Sequence, residues 1–141
     1  MMSMSRARGQ AGNAAIELLL VTVPLLLFVV VLMALGQLTA TRGALSSVAR
    51  EGARAAADAR SAPEAVTVGQ RSAQATAAGY GLDPARLQVT VDPRGFARGG
   101  TLTVTATYQA PLDHLPSFGV RPGSFALTAR QLEPIDPHRS R

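Results

Sequence analysis

The chain has 141 residues, room for one membrane helix and one small domain. Fourteen basic residues, every one an arginine, stand against nine acidic ones for a formal charge of +5. The arginines are scattered from Arg6 to Arg141 with no dense patch and few aromatics between them, which excludes a nucleic-acid surface of the usual kind. With no cysteine there can be no disulfide framework and no thiolate metal site.

Residues 1–12 read as a short polar leader carrying Arg6 and Arg8 and ending at Gly12. From residue 13 a long helix is expected, reaching to residue 60, with its first part, 13–38, crossing a membrane. Between Leu18 and Gly36 the only polar side chain is that of Thr22. These 19 residues span about 28 Å as a helix, close to the thickness of a bilayer's hydrocarbon core. Their leucines, valines and phenylalanine sum to about −4 to −8 kcal/mol on an insertion scale. A secretory signal peptide fits less well, because its apolar region is shorter and ends at a small-x-small cleavage site. The basic residues of the leader place the N-terminus in the cytoplasm and the C-terminal domain outside; Arg42, Arg50 and Arg54 after the run weaken that reading without overturning it.

Two residues set this span apart from a plain anchor. Glu17 stands at its entrance, five positions after Gly12, and a carboxylate at a membrane edge is costly unless it has a partner. Pro24 interrupts the run, removes one backbone hydrogen bond and is expected to kink the helix.

Beyond the span, residues 39–60 read as an amphipathic extension. Leu38, Thr41, Leu45, Val48, Gly52 and Ala55 recur at spacings of three and four, the period of one helical face. Arg50, Glu51 and Arg54 belong to the run AREGAR and fall elsewhere on the helix. They read either as a solvated face or as a surface for neighbouring subunits, the second favoured by the small residues Gly52, Ala53, Ala55, Ala56 and Ala57, which permit close helix approach.

Residues 61–132 are expected to form a small extracytoplasmic α+β domain. Ser61 is placed to cap a second helix over 64–78, with Pro63 in its first turn, Val66, Ala73 and Ala77 inward, and Gly79 and Gly81 closing it. Three runs then alternate as strands do: Arg86–Asp92, Thr101–Gln109 and Phe125–Leu132. The first two are separated by PRGFARGG, read as a flexible hairpin loop, and the last two by an irregular loop over 109–124 with three prolines. The fold class is therefore α+β, a long N-terminal helix packed by an antiparallel sheet of about three strands. Residues 133–141 read as a disordered tail.

No nucleophile–base pairing, HExxH, P-loop or dinucleotide fingerprint occurs, and His114 and His138 lie in loop-like sequence with no carboxylate constellation beside them. No enzyme, cofactor, metal, nucleic acid or small-molecule substrate is expected.

Gly12, four residues, Glu17 and an unbroken apolar helix reproduce the layout of a type IV prepilin cleavage site. Together with the span over 14–37, Pro24 followed by Leu25–Leu27, and AREGAR over 49–54, the first 60 residues or so resemble the TadE-like minor pilins, or pseudopilins, of the tight-adherence (Flp) pilus system. Leu18 stands where the major Flp pilins carry Tyr, which disfavours the major subunit. The resemblance implies cleavage after Gly12 by a prepilin peptidase, a new N-terminus at Asn13, and pairing of Glu17 with the N-terminal amine of a neighbouring subunit. It implies membrane lipid, other pilin subunits and the pilus assembly machinery as partners, and a non-catalytic role in assembly. The alternative is an uncleaved single-span membrane protein whose outer domain binds a partner.

Overall fold

The computed structural model describes residues 4–97, 99–111 and 123–136, with the side chains of residues 4–13 and of Ala15 outside the description. Helix α1 runs Met4–Ala57 and α2 runs Ala62–Gly79. Strands β1 (Leu87–Asp92), β2 (Thr101–Pro111) and β3 (Ser124–Pro134) follow. The architecture is α+β, as expected. The chain divides into two compact units, residues 1–37 and 38–141.

The first unit is a stretch of α1 alone. Ile16, Leu20, Leu26, Phe28, Leu32 and Met33 are all exposed, so the apolar residues lie on every side of the helix rather than along one stripe. This helix is long and apolar enough to cross a membrane. It begins at Met4, well before the residue 13 at which a helix was expected; Met4, Arg6, Ala7, Arg8, Gln10 and Ala11 favour helical backbone and outnumber Gly9 and Gly12. It continues as a helix past Pro24.

The second unit packs the later part of α1, α2 and the sheet around one apolar interior. The sheet is an antiparallel meander in the order β1-β2-β3. Alternation works as read: Leu102, Val104, Ala106, Tyr108 and Ala110 of β2 are buried, while the threonines between them face the other way. The register aligns Leu87 with Tyr108 and Leu127, and Val91 with Val104.

Two clusters divide the interior along its length. One joins Leu45, Val48 and Ala49 of α1 with Ala73 and Ala77 of α2 and with Ala106, Tyr108, Ala110 and Leu127. The other joins Ala53, Ala56 and Ala59 with Ala65, Val91, Leu102, Val104 and Ile135. No polar or charged residue is buried among the described residues. The phenol of Tyr108 accepts from the Asp83 backbone N–H at 3.5 Å, giving its one polar atom a partner.

Helix α2 is punctuated as its sequence demands. The Glu64 N–H donates to Ser61 Oγ at 3.4 Å, and the Glu64 carboxylate accepts from the Arg60 N–H at 2.8 Å, a reciprocal cap around Pro63. That cap also ends α1 at Ala57, short of residue 60, because Ser61 must leave helical backbone to serve it. At the far end Gly81, at φ +70°, lets Leu82 N–H reach the Ala77 carbonyl at 3.0 Å and its own N–H reach Ala78 at 3.0 Å.

The sheet differs from expectation in two places. Within PRGFARGG, whose Arg98 lies outside the described residues, Pro93–Gly95 is a 3₁₀ turn capped by Asp92, and Gly100 N–H donates to the Ala97 carbonyl. A side chain at Gly95 would collide with the Thr101 carbonyl, so glycine serves close approach here rather than looseness. The expected tail begins too early: Glu133 and Pro134 belong to β3, and Ile135 is buried with its N–H donating to the Gly100 carbonyl at 2.9 Å. Ile135, the one large apolar residue after Leu132, holds the chain down that far. The rest of that tail, and most of the proline-bearing loop, lie outside the described residues.

Candidate assembly surface of the long helix

Helix α1 carries every residue singled out from the sequence, in two separate groups. Gly12 and Asn13 are within its backbone span, their side chains outside the described residues. Glu17 is exposed and directly precedes the apolar run. Thr22, the run's one polar side chain, turns its hydroxyl back onto the Leu18 carbonyl at 2.7 Å and so costs little in an apolar setting. Two residues on, Pro24 brings no N–H to the helix ladder.

The second group lies in the other unit. Arg50, Glu51 and Arg54 are all exposed, whereas Ala49, Gly52 and Ala53, interleaved with them, are buried. AREGAR is thus a two-sided sequence: its charges face out and its small residues face in. Of the small residues that could have met a neighbouring subunit, Gly52, Ala53 and Ala56 are buried inside the chain and Ala55 and Ala57 are half-buried.

What engages them is a close crossing of α1 and α2. A Cβ added at Gly52 would stand 3.0 Å from Ala73 Cβ and 3.1 Å from the Gly69 carbonyl. One added at Gly69 would stand 2.9 Å from Ala56 Cβ and 3.1 Å from the Gly52 carbonyl. The two glycines face each other across the crossing, with Val104 and Val91 of the sheet below. Gly52-x3-Ala56 and Gly69-x3-Ala73 are small residues at one-turn spacing, the pattern that lets helix backbones approach closely. The role of Gly69 was missed from sequence, although the matching spacing on α2 is a signal for it. By contrast Gly36 and Gly43, also in α1, have open space where a Cβ would be.

Two further charged pairs frame β1. Asp83 and Asp92 each precede a proline, each accepts from the N–H two residues on, and each pairs with the arginine of its own turn. Arg94 meets Asp92 at 2.9 Å, and its hydrogen bonds hold the Asp92 carboxyl below the ordinary carboxylate range. These turns start and end a strand; they hold no metal-like grouping among the described residues.

The comparisons with known proteins fall on the same helix. Residues 12–54 match the family model of the TadE-like proteins. This segment is TadE-like. The match begins at Gly12 and ends at Arg54, so it contains Glu17, Pro24 and the whole of AREGAR. The sheet and α2 lie outside the TadE-like segment. No curated protein and no solved structure matches the chain. The similarity of this segment to the TadE-like proteins points to a part in Tad pilus assembly.

Proposed function

We propose that this protein is a minor pilin or pseudopilin of a Flp-type pilus, a non-catalytic subunit held in the cytoplasmic membrane and taken into an assembling filament. The TadE-like match over residues 12–54 carries this reading. Its support is that the match spans the Gly12–Glu17 spacing, the apolar span and AREGAR in one stretch.

In this reading a prepilin peptidase cuts after Gly12 and frees the α-amine of Asn13. The span keeps the subunit in the membrane with the C-terminal unit outside. Glu17 then attracts the α-amine of Asn13 on a neighbouring pilin. Two opposite charges in a low-dielectric layer are each expensive alone and much less so together, which makes their pairing a device for register between subunits. Pro24 adapts the helix to its neighbours, and Arg50, Glu51 and Arg54 supply the outward contacts with pilins and assembly machinery.

Replacing Glu17 with Ala tests the reading. The variant is expected to insert in the membrane as before and to fail to enter pili, read by membrane fractionation and by immunodetection on sheared filaments. Normal incorporation of Glu17→Ala would remove the assembly role from this residue.

A further inference from the structure

The second unit has two ends that differ in chemistry. One is marked by the cluster around Leu45, Tyr108 and Leu127, and Leu38, the unit's first residue, packs against that cluster. The chain therefore enters the unit at this end, two residues after the apolar run closes at Gly36. The other end is marked by the cluster around Leu102 and Ile135.

Three large apolar side chains are exposed in this unit among the described residues: Tyr80 at 56%, Phe125 at 58% and Leu132 at 56%. The two aromatics belong to the entry end. Tyr80 follows α2 between Ala77 and Leu82, both of the first cluster, and Phe125 pairs with Ala110 of the same cluster. Arg42, exposed one turn past Leu38, and Arg86, beside Leu87, are at this end too. Charge is divided the same way. Asp58, Glu64, Asp92, Glu133 and Asp136 adjoin residues of the second cluster or pair with them. Among the described residues the entry end has one acid, Asp83, which is already matched by Arg86 at 3.4 Å.

Exposed aromatics with an exposed arginine, set where the chain leaves an apolar span and with one paired acid among the described residues, are what the headgroup layer of a bilayer selects. Aromatic rings gain there from an apolar body and a wet edge, and arginine from anionic lipid. We infer that the entry end of the second unit is a bilayer-seating surface, in which Tyr80 and Phe125 enter the headgroup layer of the membrane and Arg42 meets anionic phosphate. This rests on the membrane-anchored reading above. It extends that reading from the helix to the domain: before assembly the subunit holds the membrane with a folded surface as well as with its span.

The chain has no tryptophan, so single tryptophans report locally. The full chain is reconstituted in phosphatidylcholine–phosphatidylglycerol vesicles whose acyl chains are brominated near the headgroup, with a second set brominated deep in the chains to read position 26. Tyr80→Trp, Phe125→Trp, Leu132→Trp and Leu26→Trp are compared, each at an exposed position where the ring is tolerated. Tryptophan at 80 and at 125 is expected to emit to the blue and to be quenched about twofold more than at 132. Arg42→Gln, or omission of phosphatidylglycerol, is expected to reduce that quenching. Strong quenching at 26 with none at 80 or 125 would overturn the seating surface while leaving the anchor intact. Blue emission at 80 or 125 without quenching would assign those rings to a protein contact and would overturn it as well. Absence of quenching at 26 would refute the membrane anchor, and the seating surface with it.

Discussion

Helix α1 passes through two regions that use apolar residues in opposite ways. In residues 16–35 leucine, valine and phenylalanine are exposed on all sides. In residues 44–56 what is buried is mostly alanine, with Leu45 and Val48 the large exceptions. The bulky residues are outside and the small ones inside, the reverse of a soluble fold, as suits a helix long and apolar enough to cross a membrane that continues into a packed domain. Leucine surface in the first is what the hydrocarbon of a bilayer would match, while in the second α2 and the sheet come close enough that small residues fill most of the contact. Hydropathy separates the two regions, and side-chain size and periodicity tell how the second one packs.

The largest effect should come from placing a charge in the first region. Leu26→Arg is expected to raise the cost of insertion by about 3–4 kcal/mol, shifting the protein from the membrane fraction, while the circular dichroism of the second unit's sheet is retained. Next is bulk at the helix crossing. Gly69→Val puts a branched side chain where even a Cβ would be 2.9 Å from Ala56 Cβ, and should lower the stability of the second unit by about 1–3 kcal/mol in urea unfolding. Gly43→Ala sharpens the contrast by its opposite sign. It adds a methyl to open space and removes a helix-interior glycine, so the same unfolding curve should move up by about 0.5–1 kcal/mol.

The smallest effect is electrostatic. The Arg94 hydrogen bonds depress the folded-state pKa of Asp92, so the unfolded chain takes up this proton first as pH falls. The stabilisation is present above the ordinary value of 3.8 and is lost as pH drops through the lower folded-state value. Asp92→Asn should therefore flatten the acid limb of the urea midpoint against pH, by a small amount because Arg94 is well exposed to solvent.

The elements were legible wherever their signal is local. The three strands show in their alternation, and α2 in Ser61, Pro63 and the glycines after Ala77. The apolar span shows by length and composition. What escaped the sequence depends on contacts far along the chain. Gly52 and Gly69 become partners only once α2 folds back along α1, and AREGAR gives no sign that its glycine is occupied internally while its arginines are free to face outward. The turn at Pro93–Gly95 looked loose because glycine permits looseness and close approach alike, and the Thr101 carbonyl that decides between them is a tertiary fact. Ile135 was likewise lost in a polar context, where one apolar residue makes no pattern.

The most direct test of the account is the N-terminus of the protein isolated from native membranes, by intact mass and N-terminal sequencing. A chain beginning at Asn13 is the predicted result, and it would make the carboxylate of Glu17 available to a neighbour's new amine. A chain still carrying Arg6 and Arg8 would contradict the proposed processing, leaving the apolar helix as an uncleaved anchor and the outer domain as the part whose partner must be sought.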